Sequence, residues 1–113
     1  MQYILLIYGD KSEEGTPPGD GVMAGYAAFG EEVTANGSFV AGEALQPTAT
    51  ATTVRVRNGE AQSTDGPFAE TKEVLGGFYI LNVDNLDDAI AAAAKIPGAA
   101  SGAVEVRPVM VFE

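Results

Sequence analysis

The chain has 113 residues, of which 46% are hydrophobic and 19% charged, and this predicts one globular domain over residues 1–113. A domain of this length buries roughly 65% of its unfolded surface. Sixteen acidic and six basic residues give a net charge of −10, which repels phosphate and anionic lipid, so we expect neither nucleic acid nor a membrane as partner. The absence of cysteine and histidine excludes thiol nucleophiles, Ser-His-Asp triads, Cys/His zinc sites and disulfides.

The first residues form an apolar run. Met1 to Tyr8 are almost all aliphatic or aromatic and are followed by Gly9-Asp10, which predicts a buried strand with a stop. The run lacks the positively charged start and the small-residue cleavage site of an export signal, so we expect a cytoplasmic protein. Lys11 to Gly21 is rich in glycine, proline and acidic residues and predicts a loop.

Apolar residues at helical spacing follow this loop. The members of this stripe are Val22, Tyr26, Phe29 and Val33. The stripe predicts an amphipathic helix, with Asp20 as its N-cap and Asn36-Gly37 as the left-handed stop that ends it.

The middle of the chain predicts four further strands. Ser38–Ala44 is a short strand, and the threonine-rich run Thr48–Thr53 suits extended chain. Because Asn58-Gly59 is the preferred dipeptide of a type I′ turn, Thr52–Thr64 is expected to form a β-hairpin. Phe78–Val83 is strongly apolar and predicts another strand, introduced by two glycines.

A second helix is predicted near the end of the chain, with Asp84 or Asn85 as its cap. Lys95 lies in its last turn, which suits the helix dipole, and Pro97-Gly98 ends it. Ala103–Phe112 is expected to form the final strand. The apolar side of the helix consists of Leu86, Ala89, Ile90, Ala93 and Ile96.

The order of elements, βαβ, hairpin and βαβ, predicts an α+β ferredoxin-like sandwich with an inserted hairpin. In such a fold two helices cover one face of an antiparallel sheet. The first strand is nevertheless apolar on both sides, since Ile4 and Leu6 alternate with Tyr3 and Leu5. Soluble monomers rarely expose a large apolar face, so we expect a second copy to pack sheet against sheet in a homodimer.

The segment after the hairpin carries a candidate acid–base pair. A Gly-Pro turn brings the carboxylates of Asp65 and Glu70 near one another, with Lys72 nearby. If Phe68 desolvated one carboxylate, its pKa would rise and it could act as a general acid or base. The alternative is that Asp65 caps a turn and that the Glu/Lys run is a solvated face.

The same segment, Asp65–Glu73, resembles the signature of the DGPF branch of the YCII-related family. Further matching segments are Leu5–Gly9, Gly42–Leu45, Ala51–Arg55, Gly76–Tyr79 and Val104–Pro108. The resemblance implies a dimeric α+β barrel. It also implies a His-Asp pair in the wider family and, in some relatives, dehydrochlorination of hydroxylated aromatics. This chain has no histidine, so the resemblance leaves only the aspartate half of the pair, at Asp65. It also implies an association with sigma factors, and thus a regulatory role.

Arginine side chains are candidates for anchoring an anionic ligand, since a guanidinium binds a carboxylate with two hydrogen bonds. Arg107 and Arg55 are the two candidates, and Lys72, Glu43 and Tyr8 are further candidate ligand-binding residues. The alternative is that Arg107 forms a salt bridge with Glu43 or Glu105, either within the chain or across the dimer interface.

No cofactor and no metal is expected. Gly19-x-Gly21-x-x-x-Gly25 lacks the spacing of a dinucleotide-binding loop. Without cysteine or histidine, a metal ion could bind only to oxygen ligands.

Two functions therefore remain open. The first is a cofactor-independent enzyme that transfers protons on a small polar or hydroxylated aromatic molecule, with Asp65 as acid or base, Glu70 as its partner, and Arg107 or Arg55 as the anchor. The second is a non-catalytic module that binds a ligand or a protein. A buried Asp65 that faces a cavity near Arg107 would favour the enzyme, whereas an Asp65 that caps backbone amides would favour the module.

Overall fold

The structure, a computed structural model, describes residues 1–112 and contains six strands and three helices over that range. The strands are β1 (Gln2–Asp10), β2 (Phe39–Ala44), β3 (Thr52–Arg57), β4 (Glu60–Asp65), β5 (Glu73–Asn82) and β6 (Ala103–Pro108). The helices are α1 (Asp20–Ala35), α2 (Leu86–Ala93) and α3 (Gly98–Ser101). Short 3₁₀ turns occupy Lys11–Glu13 and Thr48–Thr50.

Four strands form an antiparallel sheet in the order β2-β5-β1-β6, and β3 and β4 form a separate hairpin. This strand order is that of the ferredoxin-like sandwich, so the α+β prediction is confirmed. The hairpin turn has φ of 53° at Asn58 and 77° at Gly59, in agreement with the predicted type I′ turn.

The core lies between one face of the sheet and the helices. Leu5 and Leu81 are 0% exposed and Ile96 is 1% exposed. Phe29 and Val33 of α1 and two alanines of α2 belong to the same cluster. Burying a leucine of this kind contributes about 1.5–3 kcal/mol, so this layer holds the fold of the single chain together.

The other face of the sheet also carries apolar side chains. Directly opposed residues share a face, and Leu6 of β1 lies opposite Phe78 of β5. We call the surface formed by Ile4, Leu6, Phe78 and Ile80 the open face, because these four side chains do not belong to the helix-side core. Each of the four is half-buried.

Several predicted boundaries are wrong. The N-cap of α1 is Gly19, without a side-chain hydrogen bond, and Asp20 is the first helical residue. The 3₁₀ turn replaces the extended chain predicted for Thr48–Thr50. Strand β5 begins already at Glu73, because its first residues pair with the end of β1. The last strand ends at Pro108 and not at Phe112.

The three other predicted helix ends differ in outcome. Gly37 has φ of 80°, as the predicted left-handed stop of α1 requires. Asn85 is the cap of α2 and accepts a hydrogen bond from the backbone N–H of Asp88. That helix stops at Ala93, before the predicted end, and Lys95 beyond it forms an ion pair of 2.7 Å with Glu32 of α1.

The chain has the shape of a plate. Its Cα atoms extend over 47 × 43 × 18 Å. The short dimension follows from the layers, since a single layer of helices lies on a single sheet. The sheet and its helices therefore define two broad surfaces and a narrow rim.

Candidate functional site

The turn that follows the hairpin is held by backbone groups and by Thr53. The N–H of Gly66, which has φ of 108°, donates to the carbonyl of Ala51 at 2.8 Å. The hydroxyl of Thr53 donates to the carbonyl of Gly66 at 2.9 Å. Only glycine adopts such a φ without strain, so Gly66 makes this turn possible.

Asp65 matches neither environment predicted for it. Its side chain is exposed, and within residues 1–112 its carboxylate forms no hydrogen bond and no ion pair. Phe68, which would have to desolvate it for acid–base chemistry, is itself 80% exposed. The carboxylate is therefore solvated, and it does not cap the turn.

Glu70 interacts with a lysine that the spacing did not indicate. Its carboxylate lies 2.7 Å from the ammonium of Lys11, in the loop that follows β1. The side chains are 75% and 43% exposed, and pairs so exposed stabilise a fold only slightly. Lys72 contributes through its backbone, where its carbonyl accepts from the N–H of Lys11.

The two candidate arginines lie apart. The guanidinium of Arg55 stacks over the ring of Phe68 at 5.5 Å, a cation–π contact that holds the turn against the hairpin. Arg107 lies on β6 opposite Ile4, beside the open face. Within the described chain it forms no salt bridge with Glu43 or Glu105, so the internal form of this alternative is not observed, and the form across a dimer interface stays a prediction.

Tyr8 lies near the end of β1, two residues before Asp10. Its hydroxyl donates to a carboxylate oxygen of Glu105 at 3.3 Å. Burial raises the pKa of the Tyr8 phenol, the charge of Glu105 and this hydrogen bond raise it further, and Arg107 partly opposes them. Tyr8 therefore stays protonated at neutral pH, and its single O–H is directed at Glu105.

A cleft of about 820 Å³, the main cleft, opens at the end of the sheet where β1 finishes. The loop after β1 and the start of α1 form one side of it, and β2 and β5 form the other. Tyr8, Tyr26 and Tyr79 line it, and its charged residues are all acidic. These are Asp10, Glu13, Glu14 and Glu43.

Of the candidate site residues, Tyr8 and Glu43 line this main cleft, whereas Asp65, Glu70, Lys72, Arg55 and Arg107 do not. The structure thus separates the candidates into a cleft group and an outer group. The outer group surrounds the turn after the hairpin, with Arg107 on the last strand. Tyr26, a member of the apolar stripe of α1, and Tyr79 of β5 are half-buried at the cleft wall, a position that their apolar spacing did not indicate.

The position of Tyr79 depends on a glycine. A Cβ atom on Gly42 would lie 2.6 Å from Cδ1 of the Tyr79 ring, so only glycine lets this ring lie on β2. On its other side the ring makes an edge-on contact with Phe29, at 4.9 Å between centroids. Burial, with a smaller contribution from Tyr26, raises the pKa of Tyr79. The phenol is therefore fixed, and it is protonated at neutral pH.

A carboxylate ties the two sides of the main cleft together. Glu14 accepts hydrogen bonds from the backbone N–H of Thr48 at 2.8 Å and from its hydroxyl at 2.7 Å. These bonds lower the pKa of Glu14, the side-chain bond most, so it is ionised at neutral pH. The contact joins residues 34 positions apart, and no local sequence pattern indicates it.

A second cleft, of about 690 Å³, lies between the turn after the hairpin and β5. Pro67 and Phe68 line one side and Leu75 the other, and Tyr8 contributes to both clefts.

No group of three carboxylates within residues 1–112 is arranged to hold a metal ion. Over the same residues, no helix has the length and hydropathy needed to cross a membrane.

The strand order and the helix-covered face define an α+β protein of ferredoxin-like topology with a cleft at the end of its sheet. The family model of the YCII-related domain matches residues 1–113. The chain is also similar to an uncharacterised protein of Rhizobium meliloti (strain 1021), with 35% identity over 118 aligned residues that cover 100% of this chain and 95% of the relative. The chain therefore belongs to the YCII-related family.

Proposed function

We propose that this YCII-related protein binds a small hydroxylated aromatic molecule in the main cleft. The observation that carries the proposal is the cleft itself, about 820 Å³ in volume and lined by three tyrosines. Ligand sites typically measure about 300–1,000 Å³ and combine apolar and aromatic walls with a few polar groups. The ring of such a ligand would lie in this cleft, where the Tyr79 phenol can donate to its hydroxyl.

The charges around the cleft favour a ligand that is neutral or positively charged. Every charged residue of its lining is acidic, and hydrogen bonds lower the pKa values of Asp10 and Glu14. These carboxylates would repel an anion, and the positive charges of Arg55 and Arg107 do not compensate because neither residue lines the cleft. The proposed ligand is therefore an aromatic molecule with a neutral or amine-bearing side chain, in contrast to the anionic ligand considered from the sequence.

Proton transfer by Asp65, with Glu70 as its partner, is the second candidate function. One observation favours it: within residues 1–112 the Asp65 carboxylate has no hydrogen-bond or ion-pair partner. The carboxylate is therefore available to a ligand. A solvated carboxylate is a weak base, so this function needs a ligand or a partner chain that excludes water from Asp65.

Membership of the DGPF branch, a cytoplasmic location and a role in sigma-factor regulation stay predictions.

The open face supports a further part of the proposal, a homodimer packed sheet against sheet. Ile4 and Leu6 lie opposite Ile80 and Phe78 and form an apolar strip at the middle of the sheet. The helices lie on the other side, so a second copy of the chain is the proposed cover of this face.

Calorimetric titration with three probes that share one ring tests the ligand. The probes are tyramine, neutral 4-hydroxyphenylacetamide and anionic 4-hydroxyphenylacetate. We expect the first two to bind and the anion to bind more weakly. A probe at a hundred times its dissociation constant should stabilise the protein by about 2.7 kcal/mol.

Two matched carboxylate variants distinguish the two candidate functions. Glu13→Gln removes a charge from the main cleft, and Asp65→Asn removes one from the turn outside it. Weaker tyramine binding in Glu13→Gln alone supports the proposed cleft. Loss of binding in Asp65→Asn alone, or NMR signals of a converted probe that vanish in this variant, supports the second candidate. If none of the probes binds, the proposal is wrong.

A further inference from the structure

The chain continues past its last strand as an exposed apolar segment. Strand β6 ends at Pro108, and the N–H of Val109 still donates to the carbonyl of Gln2 at 2.9 Å. The next side chains are then 73%, 77% and 85% exposed. We call these residues, Met110–Phe112, the arm.

The chain's own sheet offers the arm little to pack against. Val109 pairs beside Gln2, the first residue of β1, so the arm runs past the beginning of that strand. Three consecutive large apolar side chains in water are unfavourable, and none of them carries a charge that would explain their exposure. The position of the arm therefore indicates that it packs against a surface outside this chain.

A second apolar projection lies at the opposite end of the sheet. The hairpin precedes the start of β5, where Glu73 pairs with Asp10 at the end of β1. Val54 and Val56 of β3 point to the same side of the hairpin and are 62% and 61% exposed. A two-stranded hairpin is marginally stable alone, so an apolar partner would stabilise it.

The exposed area is larger than that of a monomer of this mass. The chain exposes 7825 Å², whereas about 5,800 Å² is expected for a folded monomer of 11.6 kDa. Its radius of gyration is 15.9 Å, whereas about 13 Å is expected for this length. The excess of about 2,000 Å² per chain is what an obligate dimer buries, since such interfaces cover roughly 1,000–2,500 Å² on each partner.

We propose that the arm of each chain packs on the Val54–Val56 side of the hairpin of a second copy. In a two-fold dimer the same contact occurs twice, so each arm reaches one hairpin and each hairpin receives one arm. The arm and the hairpin lie at opposite ends of the sheet, as such a reciprocal exchange requires when the two open faces meet. This inference rests on the proposed homodimer and adds that the arm and the hairpin stabilise it.

Cysteine cross-linking tests the contact directly, because the chain contains no cysteine of its own. Two single variants, Val56→Cys and Val111→Cys, are mixed and oxidised in air. We expect a disulfide-linked product of two chains in the mixture and much less of it in either variant alone. Ile90→Cys mixed with Val111→Cys is the control, since Ile90 is 50% exposed on α2, far along the chain from the hairpin.

Sedimentation separates the failure of this inference from the failure of the dimer. We expect a mass of two chains for the unmodified protein, and a dimer dissociation constant that rises about tenfold or more in the double variant Val111→Ser with Phe112→Ser but not in Ile90→Ser. A mass of one chain at micromolar concentration overturns both proposals. If the mass is that of two chains, two results would overturn the arm contact alone. The first is an unchanged dimer dissociation constant in the double arm variant. The second is equal cross-linking of Val111→Cys with Val56→Cys and with Ile90→Cys.

Discussion

The helix-covered side of the sheet and the hairpin are built from similar residues and differ in what covers them. Leu5 and Leu81 in the sheet are 0% exposed, whereas Val54 and Val56 in the hairpin are 62% and 61% exposed. In both regions every second side chain of a strand lies on the same face, so the sheet and the hairpin each have an apolar face. Whether that face is buried depends on a second layer, which the helices supply for the sheet and nothing within residues 1–112 supplies for the hairpin.

A substitution in the covered layer should have the largest effect. Leu81→Ala leaves a cavity among residues of both helices and the sheet, and it should cost about 2–5 kcal/mol of unfolding free energy. At this chain length the melting temperature should fall on the order of 10 °C. Thermal unfolding followed by circular dichroism measures this change, and a fall of only a degree or two would mean that the helix-covered layer does not carry the stability.

A substitution on the hairpin should have an intermediate effect that depends on protein concentration. Val56→Ser removes an exposed side chain, so at the lowest concentration the unfolding free energy should change by less than about 0.5 kcal/mol. At high concentration the variant should melt below the unmodified protein, because a weaker dimer gives less stabilisation by mass action. Melting curves over a dilution series check this, and an equal loss at every concentration would contradict it.

The smallest effect should come from the contact between Glu14 and Thr48. Hydrogen bonds lower the pKa of Glu14 in the folded chain, so their contribution is complete above the ordinary value of 4.5 and is lost as the pH falls through the folded value. Glu14→Gln should therefore remove part of the decline in melting temperature below pH 4.5. Glu13→Gln is the matched control, and an identical acid profile in both variants would exclude this role of Glu14.

Much of the fold could be predicted because the relevant signals are local. Asn58-Gly59 specifies its turn through the φ values that these residues tolerate, and Gly37 ends α1 for the same reason. Val109 to Phe112 has the composition of a strand, but a strand also needs a neighbour, and β1 begins at Gln2. The start of β5 at Glu73 was missed for the opposite reason, since pairing with β1 extends a segment that is not itself strongly apolar.

The candidate site was predictable only in part. Tyr8 and Glu43 stand at strand ends, and the strand ends form the main cleft. The spacing of Arg55 and Arg107 could not show that one stacks on Phe68 and that the other lies beside the open face. Tyr26 and Tyr79 occupy positions in apolar patterns, and such a pattern does not distinguish a core residue from a residue at the wall of a cleft.

The plate-like outline of the chain has a consequence for where its interior lies. Its shortest extent is 18 Å and packed sheets lie about 10 Å apart, so two chains stacked in the proposed dimer would measure about 46 Å, close to the other extents of 47 and 43 Å. The stacked pair would be nearly equal in all directions, with helices outside and two sheets at the centre. The midpoint of the particle would then belong to neither chain, and Ile4, Leu6, Phe78 and Ile80 would become its deepest residues.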